Sequence, residues 1–218
     1  MPQDTLSRSS SLASDDFLGA ISEDAVPSRP STTPQSEIQV PVEGVDGPLK
    51  LAVDAGPGCG GIAWPAGEVL TKYMAWRHSN DKEYLRKKTL LELGSGTGLV
   101  GLAVGLLEPT SEVWITDQKP LLGLMQRNVD LNFPQHTVTS TCPVKVAELD
   151  WGGELPDDLP HNPEIILAAD CVYFEADARF FKMLSKHFKA QPVEDDRPGE
   201  REKYERQGVK LLRLVRTK

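Results

Sequence analysis

From Pro48 onward the chain alternates short apolar runs with stretches whose apolar residues recur at helical spacing. Leu49-Lys50-Leu51-Ala52-Val53 alternates like a short strand, and a Gly-rich turn (Gly56, Gly58, Gly60, Gly61) leads to Ile62-Ala63-Trp64-Pro65. Gly67 to about Arg77 predicts a helix with Val69, Leu70, Tyr73 and Met74 on one face. Thr89-Leu90-Leu91-Glu92-Leu93 reads as a buried strand ending in glycines, Leu99 to Leu107 as an apolar helix, and Glu112-Val113-Trp114-Ile115-Thr116 as the next strand. Leu121 to Asn132 is amphipathic at helical spacing. Val144-Lys145-Val146 and Ile165-Ile166-Leu167-Ala168-Ala169 are further strands, the second an unbroken apolar run suited to a sheet centre. Strands alternating with helices predict a parallel sheet with right-handed crossovers, a doubly wound α/β fold.

Residues 1 to 40 are rich in Ser, Thr, Pro, Asp and Glu and poor in large apolar residues, the signature of a disordered tail. The folded domain is therefore assigned to residues 48–218. A chain of 218 residues has room for one α/β domain, and 39% hydrophobic residues supply its core. No apolar run is long enough to cross a bilayer, so no membrane partner is expected. The first residues lack the basic and apolar regions of a secretory signal. Cys59, Cys142 and Cys171 are odd in number and widely spaced, which fits a reducing compartment, cytoplasmic or nuclear, with the cytoplasm expected, and gives no metal-ligand spacing. A formal net charge of -8 argues against a phosphate-tracking surface, so no nucleic acid is expected as a partner.

The strongest chemical signal is Glu92-Leu93-Gly94-Ser95-Gly96-Thr97-Gly98, set between a predicted strand and a predicted helix. Gly94, Gly96 and Gly98 let the chain turn sharply and let a ligand approach the backbone. The spacing is G-x-G-x-G, unlike the dinucleotide fingerprint, and no Lys follows to hold a β-phosphate. Asp117 closes the second strand 23 residues after Gly94, where an acid can accept hydrogen bonds from both ribose hydroxyls; the plainer role is an N-cap. Leu149-Asp150-Trp151-Gly152 follows the third strand, where Asp150 suits an exocyclic amine and Trp151 the flank of a base. Asp170-Cys171-Val172-Tyr173 ends the fourth strand on the active edge of the sheet. Asp170 suits the orientation of an amine there, Tyr173 the wall of an acceptor channel, and Cys171 core packing.

Taken in order, Trp64-Pro65, Glu92 to Gly98, Asp117, Leu149 to Gly152 and Asp170 to Tyr173 resemble the lysine-directed branch of the seven-strand methyltransferases (methyltransferase family 16). Trp64-Pro65-Ala66-Gly67-Glu68 is most similar to the fungal elongation-factor lysine methyltransferases. The resemblance runs from about Pro48 to Lys218. It implies a Rossmann-like sandwich that binds S-adenosylmethionine and methylates a lysine on a folded protein. Translation elongation factor 1-alpha is the leading candidate, ahead of AAA-type or Hsp70-type ATPases, and a monomer is expected. It further implies that Gly94, Gly96 and Gly98 cradle the methionine part of the cofactor, with Glu92 near its amino group. Asp117 would hold the ribose, Asp150 and Trp151 the adenine end, and Trp64 would line the pocket. Asp170 and Tyr173 would form the D-x-x-Y acceptor motif.

The chain departs from that pattern after Tyr173. Phe174-Glu175 runs directly into Ala176 to Leu184, which resembles the family's last helix, and Tyr204 to Leu214 resembles its final strand. The fifth strand and the helix before it, about 25–30 residues by ordinary element sizes, are missing, as a skipped exon, a gene-model error or a short isoform would leave them. Such a loss predicts an exposed edge on the fourth strand. Two alternatives stay open: a methyltransferase-like protein without catalysis, and a methyltransferase acting on a nucleic acid or small molecule.

Overall fold

The computed structural model describes residues 36–56, 59–134, 143–171 and 182–217. They fall into two compact units, 36–171 and 182–217, taken separately here.

In the larger unit, β1 (Ser36–Val40) and β2 (Leu49–Val53) pair antiparallel, with Ile38 opposite Leu51. Ser36–Val40, inside the stretch assigned to the tail, instead form a strand that gives β2 its partner. Helix α1 (Pro65–Asn80) begins two residues before the predicted start. Trp64 takes extended backbone as its N-cap, and Pro65 occupies the first turn, where a missing N–H costs nothing. Then follow β3 (Thr89–Leu93), α2 (Leu99–Leu107), β4 (Glu112–Asp117), α3 (Leu122–Asn132), β5 (Val144–Glu148) and β6 (Ile165–Ala168).

The four strands β3 to β6 make one parallel sheet in the order β5-β4-β3-β6. Leu90 stands opposite Val113 on one side and Ile165 on the other, and Val113 opposite Val144. This row faces α2, every residue of which is buried except Leu106. Gly101 and Gly105 let α2 lie directly on Val113, Ile115 and Val144. The opposite face carries Leu91, Trp114 and Ala147, covered by Leu149 and Leu159. The chain leaves β3 toward β4 and β5, then returns to place β6 on β3's other side. That reversal opens a crevice at the carboxyl ends of the strands, where ligands bind in open α/β sheets.

The apolar run of β6 reads as a central strand, whereas the loss of the fifth strand predicts an exposed edge on it. Among the described residues it pairs with β3 alone. Leu167 is buried, while Ile166, opposite Leu91, is 56% exposed. An apolar run records that a strand is hydrophobic on both faces but not which neighbours cover them.

The smaller unit is a hairpin of β7 (Phe188–Pro192) and β8 (Leu212–Arg216), joined through the short helix α4 (Glu200–Glu205). Val193, Tyr204 and Val209 are its buried apolar residues. The segment Tyr204 to Leu214, read as one strand, instead ends a helix, turns at Gly208 (φ +76°) and starts β8 at Leu212. Among the described residues of the whole chain, no helix is long and apolar enough to cross a membrane.

Candidate active site

The loop after β3 alternates left-handed glycines with ordinary residues: φ is +59° at Gly94, +57° at Gly96 and +79° at Gly98. Space excludes a side chain as firmly as backbone does. A Cβ on Gly94 would stand 2.8 Å from the Cys171 Cβ and 3.3 Å from Cζ2 of Trp151, and one on Gly96 would stand 2.5 Å from the Gly60 carbonyl oxygen. Three separated segments thus meet at this loop: 59–61, Trp151 and Cys171.

The loop is wired to the end of β4. Ser95 N–H donates to the Thr116 carbonyl at 2.9 Å, and Thr116 N–H donates to Ser95 Oγ at 2.9 Å. Thr116 Oγ1 donates to the Glu92 carbonyl at 2.6 Å. Gly96 N–H donates to Asp117 Oδ2 at 2.8 Å, and Asp117 Oδ1 accepts from Gln118 N–H at 2.7 Å. Asp117 therefore stands beside the glycine loop with its carboxylate oriented by two backbone amides. Leu149 N–H donates to the Asp117 carbonyl at 3.0 Å, which brings the segment of Asp150 and Trp151 to the same end of the sheet. Trp151 is 53% exposed, one side of its indole against Gly94. Asp150 belongs to a turn in which its carbonyl accepts from Gly153 N–H.

Glu92 is enclosed. Its Oε2 accepts from Gly101 N–H at 2.8 Å, in the first turn of α2, whose N-cap Gly98 has no side chain to offer. The carboxyl thus caps a helix from within the sheet. Burial pushes it up to about 8, with the Asp117 charge adding to the rise against the Gly101 and Ser95 hydrogen bonds.

Trp64 is half-buried, and its Nε1 donates to the Cys59 carbonyl at 2.9 Å, which folds the indole onto the segment that touches Gly96. Asp170, just past β6, is exposed and takes φ +55°, a left-handed conformation rare outside glycine. Its carboxyl is raised by loss of water, with no hydrogen-bond or ion-pair partner among the described residues. The Cys171 thiol is pushed up to about 11, first by burial and then by the charges of Glu92, Asp170 and Asp117. A thiol held protonated is a poor nucleophile. Tyr173 lies outside the described residues.

The structure thus gathers Trp64, Glu92, Gly94, Gly96, Gly98, Asp117, Trp151 and Asp170 at the carboxyl ends of β3, β4 and β6. Asp117 and Asp170 supply negative charge there. Sequence reasoning passed over Ser95, Thr116 and Asn128, which hold the loop. For Asn128 a signal existed, a polar residue on the buried face of a helix, since it is fully buried.

Residues 45–192 match the family model described as lysine methyltransferase. The chain is 39% identical over 150 residues to the protein-lysine N-methyltransferase EFM6 of Saccharomyces cerevisiae, covering 58% of this chain and 57% of that one. It is 36% identical to the calmodulin-lysine N-methyltransferase of Arabidopsis thaliana (58% of this chain, 41% of that one). It is also 36% identical to the protein N-lysine methyltransferase METTL21A of Mus musculus (54% and 50%). The chain spans about half the length of the curated relatives it matches.

Proposed function

We propose a reaction for this chain on a settled premise: it belongs to the lysine methyltransferase family. It binds S-adenosylmethionine and transfers the methyl group to a lysine of a protein substrate. The observation that carries this reading is the convergence of the glycine loop with Asp117 and with Asp170, which has no partner among the described residues, at one sheet end. Such a site suits a ligand with hydroxyls and positive charge better than one carrying phosphates.

When bound, S-adenosylmethionine supplies a methyl group made electrophilic by its sulfonium. The loop of Gly94, Gly96 and Gly98 would hold its methionine part, and Glu92 fixes the start of α2 behind them. Asp117 would accept from the ribose hydroxyls with the lone pairs left by Gly96 and Gln118. Trp151 and Asp150 would serve the adenine end, and Trp64 would line the pocket. What remains for the protein is to align the acceptor nitrogen. A lysine of reference pKa about 10.4 attacks only as the neutral amine. A carboxylate at Asp170 favours the ammonium, so Asp170 binds and orients the side chain and is not a strong base. Tyr173, outside the described residues, is the second residue of the proposed acceptor motif.

The acceptor proposed is translation elongation factor 1-alpha, reached by a monomeric enzyme in the cytoplasm. The name of the Arabidopsis relative makes calmodulin the comparison substrate. Calorimetric titration with S-adenosylhomocysteine beside a thermal melt tests the pocket, and methyl transfer to the two candidate acceptors tests the substrate. Saturable binding with a raised melting temperature supports the reading. The exposed Ile166 of β6 favours a second reading, a non-catalytic form of the fold. A cooperative melt without binding would select it.

A further inference from the structure

β2 is hydrogen-bonded along both edges, and among the described residues only one of its neighbours is a strand. β1 takes one edge. On the other, Asn132 Oδ1 accepts from Lys50 N–H at 2.9 Å and its Nδ2 donates to the Lys50 carbonyl at 2.7 Å. Asn128 repeats the pattern two strand residues on, its Oδ1 accepting from Ala52 N–H at 2.7 Å and its Nδ2 donating to the Ala52 carbonyl at 3.0 Å. The match is geometric. Residues four apart on a helix rise about 6 Å, and alternate residues of a strand about 6.8 Å. Two carboxamides on α3 can therefore stand in for the peptide groups of a missing strand. Only an amide side chain presents donor and acceptor together in this way.

Asn128 does one thing more. Its Nδ2 also donates to the Thr97 carbonyl, at 2.9 Å, inside the glycine loop. Both residues are buried, with Asn128 0% and Thr97 2% exposed. The Thr97–Gly98 peptide is thereby held at both ends, since Gly98 N–H donates to the Ser95 carbonyl at 2.7 Å. Turning that peptide would break two buried hydrogen bonds and re-aim the chain entering α2.

We infer that Asn128 is a positioning residue for the cofactor loop: it fixes the Thr97 carbonyl and ties the loop to the β1–β2 hairpin through one carboxamide. The consequence for methyl transfer rests on the reading of this loop as the S-adenosylmethionine cradle. The coupling itself does not. Asn132 makes the same contact with β2 but none with the loop, which supplies an internal control.

The test compares Asn128→Asp with Asn132→Asp in the full chain. Each keeps its acceptor for the β2 amide and turns its donor into an oxygen facing carbonyl oxygens. Amide hydrogen exchange should speed up across residues 94–101 in Asn128→Asp and not in Asn132→Asp. The dissociation constant for S-adenosylhomocysteine should rise about tenfold or more in the first and stay within about twofold in the second, one lost buried hydrogen bond being the difference. KM for the methyl donor should rise while turnover at saturation holds. Unchanged loop exchange in folded Asn128→Asp would overturn the inference, as would equal loss of affinity in both variants. If the wild-type chain binds no S-adenosylhomocysteine, the reading of the pocket fails and the exchange comparison still decides the coupling. Should Asn128→Asp lack a cooperative melt, Asn128→Ser, too short to reach β2 and the loop together, decides by the same readouts.

Discussion

Ser95 and Thr116 hold each other by two hydrogen bonds, Ser95 N–H to the Thr116 carbonyl and Thr116 N–H to Ser95 Oγ, both 2.9 Å long. One belongs to the glycine loop and the other to the last turn of the sheet before Asp117. The pair therefore sets the distance between the two halves of the proposed cofactor site. Ser95→Ala leaves a fully buried Thr116 amide without its acceptor. The expected cost is about 1–3 kcal/mol of stability, read by urea denaturation, together with weaker binding of S-adenosylhomocysteine. An unchanged midpoint and slope would show that the amide finds another partner.

Gly101 and Gly123 make opposite predictions from the same substitution. A Cβ on Gly101 would run into Ile115 and stand 2.7 Å from Glu92 Oε2, so Gly101→Ala should destabilise by about 1–3 kcal/mol through overpacking. A Cβ on Gly123 meets nothing within 4 Å, and the residue lies in α3. Gly123→Ala should stabilise by about 0.4–1 kcal/mol, chiefly by restricting the unfolded chain. Thermal melts of both variants check the sign of each.

Glu92 gives a pH dependence. Its ordinary value is 4.5, and burial raises it to about 8 in the folded chain. Between those values the folded state keeps a proton that the unfolded state has released. Its contribution to stability is thus fully present below the unfolded value and is lost as pH rises through the folded one. His78, held below its usual value by burial and then by Lys82, works the other way in its own window. Glu92→Gln isolates the first effect, because the amide is neutral throughout and can still accept from Gly101. Its melting temperature should gain on that of the wild type between about pH 4.5 and pH 8. Parallel melting curves over that range would mean that Glu92 does not titrate there.

Asp170 separates binding from fold. Asn tolerates left-handed backbone better than other residues, so Asp170→Asn should melt near the wild type and bind S-adenosylhomocysteine equally well. Loss of the charge should raise KM for the protein substrate about tenfold or more, the worth of a charge-assisted hydrogen bond. Full transfer with unchanged KM would remove Asp170 from the acceptor site.

The order of the elements and the glycine loop were legible in the sequence, because both are written in local chemistry. A strand of apolar residues, a turn that needs positive φ and a helix that is apolar all round each follow from a few neighbouring side chains. Thr89–Leu93 and Leu99–Leu107 have the same bounds in both readings. Gly94, Gly96 and Asp117 lie together as their spacing implied, since an acid ending one strand of a parallel pair lies beside the loop that follows its neighbour. Long-range neighbours were not legible. That Ile166 faces solvent, that Glu92 turns inward to cap α2, and that Asn128 and Asn132 complete a sheet edge depend on which segments meet in space. A carboxylate, an amide or an apolar side chain carries the same pattern in the chain whether it will face water, a helix end or another strand. Only the packing of distant segments decides which, because that packing alone fixes what a buried donor, acceptor or methyl group can reach.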